Sequence, residues 1–280
     1  AAAAAAAGHG DGARPDHLTR TAGEPREDCV SEARIVEVRE ETPTVRELVL
    51  EVADPAFTFR AGNWVDFFVE GCPKVGGYSM CSLPSDLPTL RLAVKRSSHP
   101  PAAWCHSEAA APGASVQLKA GGQFCWDPAV DAGIASRLLL VAGGIGINPL
   151  YAIAQAALAA SPTGGAAAAA AGVKQVSMLY SASRPSELAF RGHLEELARR
   201  DDRLRLSLHV TRNDPKEEPW AGPTGRIGAP ALRAALGDGA RPQEVLAFVC
   251  GPPAMTDALV AVLRDELGLP ADRVRLEKWW

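Results

Sequence analysis

Val141-Ala142-Gly143-Gly144-Ile145-Gly146-Ile147-Asn148-Pro149 is the stretch on which the reading of the fold turns. It closes the apolar run RLLLVAG (137–143) and opens NPLYAIAQAALAA (148–160), whose pattern is helical. A glycine turn between strand and helix lets backbone N–H groups approach an anion, and the helix N-terminus adds partial positive charge. Pro149 suits a first helical turn, where an N–H has no partner. The spacing G-G-x-G-x-x-P is not the full G-x-G-x-x-G, so the loop alone reads equally as a tight connection and as a diphosphate cradle.

Downstream of this loop, strands and helices alternate. VSMLYSA (176–182), LRLSLHV (204–210), EVLAFVCG (244–251) and VRLEKWW (274–280) read as strands. SELAFRGHLEELARR (186–200), with Ser186 as N-cap, and PAMTDALVAVLRDEL (253–267) read as helices. That alternation implies a doubly wound parallel sheet. SPTGGAAAAAAG (161–172) reads as a surface insertion whose alanines are able to extend the preceding helix. Upstream the rhythm differs. ARIVEVREE, VRELVLEV, WVDFFVE, YSMCS, LRLAVKR and SVQLKA are short strands separated by Pro, Gly, Asp and Ser, which suggests a small antiparallel barrel. The expected fold class is therefore two-domain, β followed by α/β: a barrel over 30–132 and a parallel-sheet nucleotide-binding domain over 133–280. A length of 280 residues fits two domains at roughly 150 residues each.

The first 29 residues are low in complexity and poor in large apolar side chains, so they are expected to be disordered. The sequence starts without Met, as a fragment or a processed product would. Arg14, Arg20 and Arg26 give a faint mitochondrial-transit character, which Asp11, Asp16, Glu24, Glu27 and Asp28 oppose.

Hydrophobic residues make up 47% and charged residues 22%, a globular composition. Lys and Arg number 29 against 33 Asp and Glu, a net charge of −4, which argues against nucleic acid or an anionic membrane as main partner. The longest apolar stretch, 138–160, is broken by Gly143, Gly144, Gly146, Asn148, Pro149 and Gln155, so no transmembrane span is expected. Cysteines 29, 72, 81, 105, 125 and 250 form no C-x-x-C pair and no metal-binding run, and no metal is expected. Their even number permits disulfides; the reading adopted is free thiols in a reducing compartment, mostly buried.

Three further segments carry chemistry. Cys250-Gly251-Pro252-Pro253-Ala254-Met255 sits at the carboxyl end of an apolar strand, the edge where open α/β sheets bind ligands. A Cys there can pack against a flat ring or act as a thiolate, but no His lies near it in sequence to serve as base. Gly76-Gly77-Tyr78-Ser79-Met80-Cys81-Ser82 ends a barrel strand, and offers a planar phenol and a hydroxyl donor. Glu277-Lys278-Trp279-Trp280 ends the chain with two aromatics, as core plugs or as a cover for a bound ring.

These four segments, in this order, resemble the ferredoxin–NADP reductase superfamily, over residues 31–280. The resemblance implies a flavin-binding barrel ahead of a nicotinamide-binding domain, with hydride passed from NAD(P)H to FAD and on to a separate, unidentified acceptor. Tyr78 and Ser79 match the Tyr-Ser of the family's R-x-Y-S, implying a phenol stacked on the flavin and a hydroxyl near its N5. Gly143, Gly144, Ile145, Gly146, Ile147, Asn148 and Pro149 match the loop that holds the dinucleotide diphosphate. Cys250 and Gly251 match the segment facing the nicotinamide, and Glu277 with Trp279-Trp280 the acidic and aromatic residues near the flavin, Trp280 serving as cover. Ser79, Cys250 and Glu277 are thus the expected catalytic positions.

Two departures stand out. The arginine of R-x-Y-S falls on Gly76, and the family's G-x-x-S helix start falls on Pro100–Ala103, which has neither Gly nor Ser. Loss of one charge-assisted contact of ~1.5–3 kcal/mol weakens flavin binding about ten- to a hundredfold. Lys74, Lys95 or Arg96 are the candidate substitutes. The resemblance favours NAD; for NADP, Arg184 is the candidate cation for the 2′-phosphate. It also favours a mitochondrial location, with the cytoplasm otherwise. The rival expectation is an NAD(H)-binding module that has lost tight flavin and acts as sensor, scaffold or complex subunit.

Overall fold

The computed structural model describes residues 16–159, 172–214, 216, 218–237 and 239–279. The chain opens with a helical turn, α1 (His17–Arg20), and enters six strands: β1 (Arg26–Thr42), β2 (Val45–Val52), β3 (Trp64–Phe68), β4 (Gly76–Ser79), β5 (Thr89–Lys95) and β6 (Ser115–Gly121). A short helix, α2 (Pro100–Cys105), lies between β5 and β6. The strands pair antiparallel in the order β4-β3-β6-β1-β2-β5. The two edge strands meet at a single bridge, Met80 to Leu92, which closes the sheet into a near-barrel. Alternate residues point inward, so Val65 and Phe67 of β3, Leu48 and Leu50 of β2, and Leu90 and Leu92 of β5 fill its core.

After α3 (Pro128–Ile134) the chain builds a parallel sheet from β7 (Arg137–Gly143), β8 (Gln175–Ala182), β9 (Leu204–Val210), β10 (Val245–Gly251) and β11 (Val274–Lys278). Helices α4 (Ile147–Ala159), α5 (Arg191–Arg200), α6 (Ala229–Leu236) and α7 (Pro253–Ala261) cover it. The order is β11-β10-β7-β8-β9. Leu138 and Leu140 of β7 face one core while Leu139 and Val141 face another, which is why the strand reads as an unbroken apolar run. The chain winds outward from β7 through β8 to β9, then returns to β10. The crevice between the ends of β7 and β10 is therefore the switch point of the sheet, where α/β folds bind ligands.

Several expectations change. Residues 16–29 were expected to be disordered, yet α1 and the start of β1 lie within them. A charge cluster orders them rather than apolar burial. Asp66 of β3, only 1% exposed, accepts from His17 Nε2 at 2.8 Å, from Arg26 Nε at 2.6 Å and from Arg26 Nη2 at 3.1 Å. The His17 ring meets Trp64 edge-on at 4.8 Å, and the Arg26 guanidinium covers the same indole at 4.8 Å. Arg14 and the rest of 1–15 lie outside the described residues, as do 160–171 of the alanine-rich insertion.

Ser186 does not cap a helix. It sits in a single 3₁₀ turn, Pro185–Glu187, and α5 begins only after Phe190, which takes φ +58°. The last helix keeps α geometry to Ala261 and continues as a π turn over Val262–Glu266.

The two halves are tied by polar contacts. Arg275 of β11 grips the fully buried Asp131 of α3, Nη1 to Oδ2 at 2.8 Å and Nη2 to Oδ1 at 2.5 Å, and also donates to the Cys125 carbonyl at 2.8 Å. Asn148 Nδ2 donates to the Ala93 carbonyl of β5 at 2.7 Å. Among the described residues no helix is long and apolar enough to cross a membrane.

Candidate functional site

The glycine loop sits where β7 ends. Gly144 takes φ +54°, and a Cβ there would meet no protein atom within 4 Å. That Cβ direction is open, and Gly144 lines a cavity of about 430 Å³ over the ends of β7, β8 and β10. Gly146 is glycine for another reason: a Cβ would lie 2.4 Å from the Cys250 carbonyl oxygen, because the loops after β7 and β10 press together. Ile147, Asn148 and Pro149 are buried in the first turn of α4. The loop thus divides by role. Gly143, Gly144 and Ile145 line the cavity, while Gly146 packs against the β10 loop and Asn148 bonds to the barrel.

Opposite the loop the cavity is walled by Pro252 and Met255, and on its far side by Ser181, Thr211 and the exposed Arg226. Sequence reasoning missed these last three, because Thr211 and Arg226 lie in the irregular segment after β9, which carries no motif. Arg184, the expected 2′-phosphate cation, is exposed at the start of the Pro185–Glu187 turn and does not line the cavity. Lys95 does line it, but not as a stand-in for a flavin-binding arginine. Its ammonium pairs with Glu187 at 3.2 Å and with the Thr44 hydroxyl at 2.8 Å, bridging barrel and sheet.

A second cluster lies where β4 faces β10 and β11. Cys250 and Glu277 are register partners across the parallel pair β10–β11. Trp279 donates its indole N–H to Glu277 Oε2 at 3.0 Å, and its backbone N–H to the Gly251 carbonyl at 3.1 Å. Burial raises the Glu277 carboxyl from its ordinary 4.5 to about 8, the Trp279 indole offsetting part of the effect. The Ser79 hydroxyl comes from the barrel toward this carboxyl. Ser79 is 3% exposed and its Oγ has no well-formed hydrogen bond. The Cys250 thiol is fully buried, and burial together with the Glu277 charge holds it well above the ordinary cysteine range, so it is not a nucleophile here. The three positions expected to be catalytic are therefore brought together from two domains. Trp279 is the aromatic residue seen beside them, while Trp280 lies outside the described residues.

Tyr78 is placed differently from expectation. Its ring meets Phe67 edge-on at 5.4 Å, on the barrel side, and its hydroxyl is buried without a partner. A Cβ at Gly76 would fall 2.5 Å from Tyr78 Cε2, and one at Gly77 would fall 2.1 Å from His17 Nδ1. A side chain at either position would have to displace one of these rings. Lys74 pairs with Asp16 at 3.7 Å. The first two residues of α2 are Pro100 and Pro101, which removes two N–H donors from its N-terminus. Among the described residues, no group of three or more His, Cys, Asp or Glu is placed to hold a metal ion.

Comparison with known proteins agrees with this architecture. The oxidoreductase NAD-binding domain family matches residues 140–261, from within β7 to the end of α7. The oxidoreductase NAD-binding domain-containing protein 1 of Danio rerio is 39% identical over 274 residues, covering 95% of this chain and 98% of that protein. Ferredoxin–NADP reductase B of Sorangium cellulosum is 34% identical over 258 residues, 89% of this chain and 97% of its own length. Among solved structures, the ferredoxin reductase in carbazole 1,9a-dioxygenase superposes with a TM-score of 0.72 at 25% identity, over 90% of this chain and 70% of its own. A parallel sheet with a glycine loop at its switch point, a near-barrel ahead of it, and relatives at this identity over nearly full length together place the chain in the ferredoxin–NADP reductase-like oxidoreductases, in the family of the oxidoreductase NAD-binding domain-containing protein 1.

Proposed function

We propose that this chain oxidises NAD(P)H and delivers the hydride to an acceptor ring docked between barrel and sheet. The observation that carries this reading is the meeting of Ser79, from the barrel, with Cys250, Glu277 and Trp279, from the sheet. The dinucleotide diphosphate sits against Gly143, Gly144 and Ile145, at the N-terminal end of α4, where the helix dipole favours an anion. Its nicotinamide reaches past Pro252 to Cys250 and Gly251, where the thiol packs as a small apolar group. Trp279 moves aside to admit it. NAD is the favoured cofactor, and Arg226 is the cation that the cavity wall offers to the phosphate of NADP.

A flavin is the acceptor that the family resemblance implies, and the site fits it in part. The buried Ser79 hydroxyl, directed at the Glu277 carboxyl without a well-formed hydrogen bond, suits a ring nitrogen. The groups that hold the diphosphate of a resident FAD fit it poorly: a side chain at position 76 would displace the Tyr78 ring, Lys74 and Lys95 are paired with Asp16 and Glu187, α2 opens on two prolines, and of the candidate cations Arg96 alone is exposed without an ion pair among the described residues. No step is assigned to a tightly bound FAD. This misfit favours the second reading, a dinucleotide-binding module without redox turnover. Full-length protein mixed with NADH and added FAD separates the two. Turnover that falls sharply in Ser79→Ala supports the oxidoreductase. Tight NADH binding with no consumption of NADH supports the module. The onward electron acceptor and a mitochondrial location are carried as parts of the same proposal; subcellular fractionation tests the second.

A further inference from the structure

We propose that residues 16–25 form an autoinhibitory strap: closed, with His17 as its plug, it walls off the barrel side of the Ser79–Glu277 cluster, and the acceptor enters only when the strap lifts. The proposal concerns regulation of the site described above and rests on that reading.

The strap lies against β4 and β3 and runs on to the end of β6. Ser79 of β4 is the register partner of Trp64 of β3, and Gly77 is the partner of Asp66, so Ser79, Trp64 and Asp66 share one face of the sheet. His17 fills the space over the second pair, two residues along β4 from Ser79. A Cβ at Gly77 would fall 2.1 Å from its Nδ1, its ring meets Trp64 edge-on at 4.8 Å, and its Nε2 bonds to Asp66 at 2.8 Å. Position 77 is glycine because the plug needs the room. At the far end of the strap, Gly122 donates its amide to the Pro25 carbonyl at 2.9 Å, and Gln123 donates to Glu24 at 3.1 Å. Burial raises the Glu277 carboxyl and the Glu24 charge adds to the effect, so this end stands near the sheet side of the same cluster.

The hold on the strap is one socket rather than an apolar seam. Among residues 16–25 only His17 is buried, and Leu18 is exposed. The outer anchor is a surface pair, Asp16 with Lys74 at 3.7 Å, of a kind that contributes little in water. The closed position also crowds like charges: burial, then the charges of Arg20 and Lys74, hold His99 below its ordinary pKa at the start of α2. Arg26 forms the hinge. It donates to the Thr21 and Glu24 carbonyls at 2.8 and 3.3 Å from its place in β1, and grips Asp66 at 2.6 Å, so Asp66 keeps a cation when His17 leaves. A segment held in this way opens into a minor state, on the order of one per cent of the population, and loss of the plug makes that state the major one.

The test joins hydrogen exchange, read by mass spectrometry on the purified chain, to NADH consumption with added FAD. The hydrogen-bonded amides of Arg20, Thr21 and Glu24 are expected to exchange at least about tenfold faster than those of β3, by opening without global unfolding. His17→Gly is expected to raise turnover about tenfold, and Asp16→Ala, which loosens the outer anchor and the α1 cap, about threefold, both with NADH affinity unchanged in a fluorescence titration. Strap amides that exchange only with the whole barrel overturn the proposal. A folded His17→Gly variant that turns over at or below the parental rate also overturns it, since His17 is then a fixed part of the wall. If His17→Gly does not fold, Asp16→Ala decides, and an unchanged or lower rate there overturns the proposal. No NADH consumption by the parent or either variant overturns it too, while NADH binding at parental strength leaves the dinucleotide site standing. Absence of NADH binding in the parent removes the underlying reading itself.

Discussion

At Gly144 the backbone is left-handed and the missing side chain opens onto the cavity, so substitution there tests the ligand more than the fold. Gly144→Asp adds about 1 kcal/mol of backbone strain, since Asp tolerates this conformation better than most residues. It also sets a carboxylate against the expected diphosphate. NADH affinity is expected to fall at least a hundredfold while the circular dichroism spectrum is retained; a folded variant that binds NADH normally would take the diphosphate off this loop. Glu277 gives a pH test. Its folded pKa, about 8, lies above the ordinary 4.5, so between those values the native state holds more protons than the unfolded chain. Stability from this group is present below about pH 4.5 and is lost as pH rises through 8. Urea midpoints measured across this range are expected to fall less steeply in Glu277→Gln than in the parent, and equal slopes would count against a raised carboxyl. Ser79, Cys250 and Glu277 were named through the resemblance of their segments to the family pattern, and the structure places Ser79 toward the Glu277 carboxyl and Cys250 opposite Glu277. The roles of Lys95 and Asn148 were not legible, because Glu187 and the Ala93 carbonyl are their partners only through tertiary packing.

Among the elements, α3 and β11 share the contact most exposed to single substitutions. Asp131 is fully buried and is paired with Arg275, whose guanidinium also covers Phe248 at 5.2 Å. Arg275→Ala leaves a buried charge without its partner and is expected to cost about 3–5 kcal/mol in denaturant unfolding, more than Asp131→Asn. A cost under about 1 kcal/mol would mean that water reaches Asp131 and supplies the missing bonds. The central strands β7, β8 and β10 were legible because burial on both faces writes a nearly continuous apolar run, whereas the edge strands β9 and β11 are only partly buried. The helix starts were less legible. Ser186 has the right side chain for a cap, yet its backbone N–H bonds to Glu218 from a distant loop, and the chain turns again at Phe190 before α5 begins.

For the molecule as a whole, the order barrel then parallel sheet follows from the change of rhythm near residue 133, and the structure repeats it, with β6 ending at Gly121 and β7 beginning at Arg137. The N-terminal segment was read as disordered because composition counts apolar side chains, whereas here the buried Asp66 carboxylate does the ordering, bonded to Arg26 and His17, 40 and 49 residues earlier in the sequence. That arrangement sets a limit on proteolytic trimming. A cut anywhere between His17 and Arg26 strips Asp66 of its hydrogen bond to His17 and uncovers the Trp64 face, at a cost of about 1.5–3 kcal/mol for the lost hydrogen bond to the carboxylate alone. Only a cut upstream of His17 leaves the contacts of His17 and Arg26 with Asp66 and Trp64 whole.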